Sequence, residues 1–528
     1  MEQWVERSLE HARAEQQRIP ATLIGVLAGQ LALSLALTWW CWLPRWLPRG
    51  RVTLGTLTGR EAGPTLLILA LGVGAYALYL LGALVLARQP ASRRALPLIW
   101  LSAGAMTLIL LAAFPVTSTD IFDYIFRGHM ALRYGANPYV IVPNRFQSDP
   151  FYRYIGWPNA PSAYGPLWER LSMTLVELGG TALLRHVLLF KALAAASHLL
   201  IGLLIGQLAP PRWRSLSCYL WLCCPLALWE LAGAGHNDGL LILALLLALL
   251  AVRRRGYALA VLALVAGALI KFLPALLLPL VVLAWLREPA SWSRRLGRLA
   301  CALLLALIPM VALYAPYWDL PADLASRPLA EQLAAIWAGR RTTLYNLSVR
   351  ANFLHATPMA WLSYLAQRLI VAPTTRDAQI DDLRRIISLL SNLLLLLGLL
   401  WQSWWSWLRH RPLATAFFGL LVWYLLSGLW FQPWYLLWLL ALLALRPPGW
   451  ALIILYTWSI TAQASYLLQF IVLPRLEIGG QTLAAQSLYL ALIYPLPLLV
   501  WWLTRPSRLR RRLQHPPVPQ AIDSAGRA

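Results

Sequence analysis

The residues best suited to chemistry in this chain cluster between Phe114 and Trp168. That stretch holds two carboxylates, Asp120 and Asp123, among many aromatics and several Gly and Pro turns. Loops held on a rigid scaffold are where catalytic groups concentrate. Thr117, Ser118 and Thr119 precede Asp120, which is helix-start chemistry. From there the spacing predicts a short helix lying at a membrane surface. Asp120, Asp123, Arg127 and Tyr134 fall near one face, and Ile121, Ile125 and Leu132 on another. Gly135 and then Asn137-Pro138 end it. Asp123 and Arg127 stand one helical turn apart with the acid first, the favourable order for an ion pair. Asp120 has no such partner, and a helix N-terminus favours its ionised form, as a general base requires. The competing readings are a plain N-cap for Asp120 and a structural ion pair for Asp123.

Further polar groups recur at the ends of apolar runs. His236, Asn237 and Asp238 are consecutive, flanked by Gly235 and Gly239. Three polar side chains at a membrane face are costly unless they line a polar cavity; a solvated turn is the alternative. Lys271 closes an apolar run and either snorkels to the interface or meets an anion. Gln432, Trp434 and Tyr435 lie in the motif FQPWY, which is also compatible with an aromatic belt. Arg340, Arg341 and Arg350 lie close together, and Arg suits phosphate recognition. His186, Lys191 and His198 sit within or beside an apolar run and are expected to face the bundle interior.

Composition fixes what must position these groups. The chain has 528 residues, 59% hydrophobic and 12% charged, with a mean hydropathy of +0.60. Soluble domains carry about a quarter charged residues, so this is an all-α polytopic membrane protein. Apolar runs predict about 14 transmembrane helices and two long outer loops carrying short surface helices. The expected organisation is an amphipathic start (1–19), three spans (20–115), a catalytic loop (116–182), spans (183–316), a second outer segment (317–383), spans (384–504) and a basic, disordered tail (505–528).

The net charge of +24 suggests nucleic-acid binding at first sight. The arginines, however, fall mostly in short segments between apolar runs, where the positive-inside rule accounts for them. That rule places the N-terminus in the cytoplasm and both long loops outside it, together with His236, Lys271 and Gln432. Residues 45–63, with four arginines, run against the rule. The five cysteines lack metal-ligand spacing. No glycine-rich nucleotide loop and no signal cleavage site are visible, so no soluble cofactor is expected.

The ordered set Asp120-x-x-Asp-Tyr, Arg-Gly-His, Gly-Ala-Asn-Pro-Tyr, Tyr164-Gly-Pro-Leu-Trp, His236-Asn-Asp, the Lys271 run and Gln432-Pro-Trp-Tyr resembles GT-C integral-membrane glycosyltransferases. The nearest resemblance is to the bacterial polyprenyl-phosphomannose-dependent mannosyltransferases, over roughly residues 95–445. It implies a lipid-linked sugar-phosphate donor, a glycan or glycolipid acceptor, and an acidic base in the first outer loop, falling on Asp120 with Asp123 second. It further implies an inner (plasma) membrane location with the site on the non-cytoplasmic face. In some branches a second acid adjoins the first; here Ile121 does, so no obligatory metal is expected.

On this reading Asp120 takes the acceptor proton in a single inverting displacement. Lys271, His236, Arg340, Arg341, Arg350 and Arg127 are candidates for the donor phosphate. Asn237, Asp238, Tyr124, Tyr164, Trp168, Gln432, Trp434 and Tyr435 are candidates for holding the sugar. A transporter or flippase of lipid-linked saccharides is the alternative, though such proteins tend to show internal repeats; a non-catalytic scaffold is a third reading.

Overall fold

The structure is a computed structural model that describes residues 20–88, 94–318, 320–321, 323–348, 354–370, 376–445 and 449–504. The amphipathic start and basic tail lie outside these residues. The described chain is helical, with only isolated bridges at Trp42–Ala113 and His355–Trp430 and no strand.

Helices α1 (Ala21–Trp40), α2 (Ala62–Arg88) and α3 (Ala95–Leu111) precede the first large loop. Their apolar residues point all round, as lipid-facing and bundle-facing helices require. Within the loop lie α4 (Asp120–Tyr134) and α5 (Pro166–Gly179), followed by α6 (Leu183–Leu208). The next apolar run is a bent pair. Residues Pro211–Leu222 and Pro225–Gly233 meet at 46°, at Pro225, whose ring cannot continue the preceding hydrogen-bond ladder. The second piece contains a π-helical turn, Leu228–Gly233, a geometry often found at functional sites. α7 (Asp238–Arg253) and α8 (Tyr257–Ala268) follow, then a helix break around Lys271 and α9 (Leu278–Leu286).

The second half holds α10 (Trp292–Tyr314), α11 (Leu329–Ser348), α12 (Pro358–Ile370), α13 (Arg376–Arg409), α14 (Leu413–Ser427), α15 (Leu436–Ala444), α16 (Gly449–Leu467), α17 (Leu483–Ile493) and α18 (Pro495–Thr504). α13 begins at Arg376, eight residues before the spans expected from 384, because its first turns are polar and hydropathy does not register them. Six helices are long and apolar enough to cross a membrane, seven if the bent pair forms one span, with five shorter apolar helices among the described residues.

The loop at residues 41–61 is stitched to the start of the first large loop. The Leu43 amide donates to Ala112, Phe114 to Cys41, and Leu54 to Val116. Its arginines therefore share an end of the bundle with α4. The helix interior behind α4 is closed by Lys191. Its ammonium donates to the carbonyls of Leu110 and Ala113, at the C-terminal end of α3, where unsatisfied carbonyls favour a cation. His186 and His198 likewise contact backbone carbonyls, of Val176, Gly180 and Leu222. All three are structural groups of the bundle interior.

Candidate active site

Helix α4 begins at Asp120, whose amide donates to Ser118 Oγ at 3.1 Å, and ends at Gly135 with φ +60°. Both ends agree with the sequence reading. Its faces do not. Residues from Ile121 to Gly128 are all buried, so the first two turns are enclosed by protein. The expected polar face is not a water face, and Leu132, expected on the apolar side, is exposed.

The expected Asp123–Arg127 ion pair is replaced by two longer-range contacts. Arg127 donates to the Ala160 carbonyl at 2.9 Å. Asp123 accepts from the amides of Gly156 at 3.0 Å and Trp157 at 3.1 Å. A carboxylate bonded to loop amides ties residues 156–160 to α4 more firmly than a surface ion pair would. Burial pushes the Asp123 carboxyl up to about 7, against the lowering effect of the nearby Arg127 charge and of those amides. Further along the loop, Asp149 gathers His129 and the Tyr134 hydroxyl, each at 2.9 Å. The Asn137 side chain accepts from the Tyr139 amide and donates to the Tyr317 carbonyl.

The turn before α5 closes over the helix break at Lys271. Gly165 and Leu167 donate to the carbonyls of Ile270 and Leu269, at 2.9 and 3.0 Å. A Cβ on Gly165 would stand 2.2 Å from the Leu269 oxygen, so only glycine permits this approach. The break exposes Lys271, whose ammonium binds both oxygens of Asp238 at 2.9 Å. Trp438 Nε1 donates to the same carboxylate at 2.8 Å, and Lys271 lies over the Tyr435 ring at 4.9 Å. Lys271 is therefore paired, and Asp238 with it.

Asp120 faces a different set. The Tyr164 hydroxyl donates to its Oδ2 at 3.3 Å and lies 3.4 Å from the Tyr124 hydroxyl. His236 Nδ1 stands 3.8 Å from Asp120 Oδ2. The His236 ring stacks on Trp434 at 3.9 Å between centroids. Gly235 turns the chain here with φ +79°, and a Cβ on it would meet Ile121 at 2.7 Å, so the turn can approach α4 only as glycine. Both His236 ring nitrogens, both polar atoms of the Asn237 side chain and Trp434 Nε1 are buried without a hydrogen-bond partner. Unpaired buried polar groups cost about 1–3 kcal/mol each, so a cluster of them calls for a functional explanation.

The structure thus brings Asp120, Tyr164, His236 and Trp434 together, with Asp238, Lys271 and Tyr435 adjoining through the same two turns. Tyr124 and Trp168 are buried and packed edge-to-face at 4.9 Å. They fill the core behind Tyr164 rather than offering open ring faces. Gln432 is buried at the start of the 433–435 turn. Arg340 and Arg341 lie on α11 with side chains outside the described set, and Arg350 lies outside the described residues.

Sequence reasoning missed Glu230, Tyr466 and Trp438. Glu230 Oε2 lies 3.3 Å from His236 Nε2, and its Oε1 accepts from the Tyr466 hydroxyl at 2.9 Å. The available signal was a lone acid inside an apolar run, which is a functional hypothesis by default. Among the described residues, no group of three or more His, Cys, Asp or Glu side chains has metal-holding geometry.

A family model described as alpha-(1->6)-mannopyranosyltransferase, N-terminal domain, matches residues 22–287. Alpha-(1->6)-mannopyranosyltransferase A of Corynebacterium glutamicum is 22% identical over 360 residues, 66% of this chain and 70% of that protein. No solved structure matches. The family match spans half of the chain and carries Asp120, Tyr164, the His236 turn and Lys271, so this membrane protein belongs to the alpha-(1->6)-mannopyranosyltransferase family.

Proposed function

We propose that the protein transfers mannose from a polyprenyl-phosphate donor to a hydroxyl of a glycan or glycolipid, forming an α-(1→6) linkage on the non-cytoplasmic face of the plasma membrane. Asp120 is the general base. The observation that carries this is a difference in exposure among the clustered carboxylates. Asp120 is 17% exposed, whereas Asp123 is 3%, and Glu230 and Asp238 are each 0%. Only the first can meet an incoming hydroxyl without rearrangement.

The acceptor oxygen attacks the anomeric carbon while Asp120 takes its proton, and the bond to the phosphate oxygen breaks with its electron pair leaving on the phosphate. One displacement inverts the anomeric centre. General-base help of this kind contributes about 10²–10⁴-fold. The developing phosphate charge needs a positive partner. Lys271 is neutralised by Asp238, and Arg127 is anchored to the Ala160 carbonyl with only its buried Nη1 unpaired, so His236 and the arginines Arg340, Arg341 and Arg350 of the second outer segment take that role.

A lipid donor is supported by a cavity of about 420 Å³ between α1 and α2. Its walls include Leu33, Leu37, Leu69 and Val73, and it reaches Thr117 and Trp229. The Trp229 indole donates to Thr117 Oγ1 at 2.9 Å, three residues before Asp120. An apolar chain in this groove would bring its polar end to the base.

The test is transfer of radiolabelled mannose from polyprenyl-phosphate mannose by purified protein in liposomes. Asp120→Asn should abolish turnover while the protein stays folded; near-normal turnover by that variant overturns the assignment.

A further inference from the structure

We infer that Glu230 is a positioning residue for the transfer reaction, acting on Asp120 through His236. The inference rests on Asp120 being the base. The three side chains form a chain of contacts: Asp120 Oδ2 to His236 Nδ1 at 3.8 Å, and His236 Nε2 to Glu230 Oε2 at 3.3 Å. They come from three separate elements, the start of α4, the turn before α7 and the π turn.

Glu230 is fully buried. Its Oε1 is held by Tyr466 at 2.9 Å, while its Oε2 has no hydrogen-bond partner and faces the imidazole. A buried carboxylate is costly unless it meets a cation or a donor. The imidazole is the group placed to supply one. It is fixed from the side by its stack on Trp434, so it cannot swing away from either acid. The Lys271–Asp238 pair lies in the adjoining turn and neutralises itself. Lys191 packs against Gly235, but its ammonium is bound to the carbonyls of Leu110 and Ala113. Tyr164 is hydrogen-bonded to Asp120. The charge that His236 meets therefore comes from Asp120 on one side and Glu230 on the other.

Glu230 holds the imidazole with Nε2–H towards itself, which leaves Nδ1 facing the base. The proton that Asp120 removes from the acceptor hydroxyl passes to Nδ1. The resulting imidazolium is stabilised by the Glu230 carboxylate, and Asp120 is restored as a carboxylate. The imidazolium charge offsets the charge that develops on the phosphate, and its proton passes to water when the products leave. The π turn is what makes this possible: its extra residue per turn shifts Glu230 out of the register of the apolar ladder and towards residue 236, whose amide donates to the Glu230 carbonyl at 3.0 Å.

The experiment compares Glu230→Gln, His236→Ala and the double variant in the liposome assay, across pH. Glu230→Gln keeps the shape and removes the charge. It should lower kcat by about tenfold or more, leave the donor KM within about twofold, and displace the acidic limb of the pH profile. The double variant should be no slower than His236→Ala alone, because Glu230 acts only through the ring. Tyr466→Phe, which leaves Glu230 in place and removes its anchor, should displace the limb in the same way by a smaller amount. A wild-type pH profile for both variants, or losses that multiply in the double variant, overturns the inference. If Asp120→Asn is itself active, the base assignment has failed instead, so the two failures are separable.

Discussion

Asp120 and Asp123 stand one turn apart on the same helix, yet their surroundings are opposite. Asp123 is enclosed and accepts two loop amides. Asp120 is partly open and meets a tyrosine hydroxyl and a histidine ring at long range. One carboxylate is used up in holding the loop; the other is held in place by the protein with bonding capacity to spare. The same division runs through the cations. Lys271 and Arg127 are tied to Asp238 and to the Ala160 carbonyl, Arg127 with one nitrogen still unpaired, while neither nitrogen of the His236 ring has a hydrogen bond.

Exchanging the two acids is the most direct way to break this comparison. Asp120→Asn should reduce turnover by about 10²–10⁴-fold with an unchanged melting temperature in detergent. Asp123→Ala should keep measurable turnover in the protein that remains folded, but lose about 2–4 kcal/mol of stability. Two half-buried loop amides then lose their acceptor, at about 1–2 kcal/mol each. If Asp123→Ala is inactive and fully stable, the roles are reversed.

For Lys271 the paired-cation reading predicts a rescue. Lys271→Met strands the Asp238 charge in the protein interior and should cost about 3–5 kcal/mol. Adding Asp238→Asn should restore most of the melting temperature. A double variant that regains stability but shows a large rise in donor KM would show that Lys271 also holds the phosphate.

A smaller effect should appear in the pH dependence of stability. The Asp123 carboxyl is raised by burial to about 7, above its unfolded value of about 3.9. The native state therefore binds the extra proton between those values. The stabilisation is complete below about pH 4 and is lost as pH rises through about 7. Wild-type melting temperatures should fall from pH 5 to pH 8, and Asp123→Asn should fall less.

The smallest expected change lies in the groove. Gly72 lines it, and a Cβ there would meet nothing within 4 Å. Gly72→Phe should raise the donor KM a few-fold without changing kcat, as loss of uniform binding does. An unchanged KM would remove the groove from the donor site.

Much of α4 was legible before the fold was known. Its start at Asp120 and its stop at Gly135 follow from local chemistry, because caps depend on residues a few positions away. The gathering of the Tyr164 turn, the His236 turn, Lys271 and Trp434 at one end was also legible, from the alternation of apolar runs and arginines. The pairing of Asp123 with Arg127 was misread. An i,i+4 rule describes an isolated helix in water, whereas here residues 156–160 supply competing partners to both side chains. The bent span was missed for a related reason: an apolar run containing Pro225 reads as one crossing by hydropathy, which is blind to direction.

The sequence alone determined that this is a helical membrane protein, that α4 starts at Asp120 within its first large loop, and which family it resembles. Only the tertiary structure decided which polar groups are paired. Asp238 meets Trp438 across 200 positions and Glu230 meets Tyr466 across 236. Periodicity reports neighbours along a helix, but partners so far apart are chosen by how the helices pack, and packing also decides which carboxylate is left open.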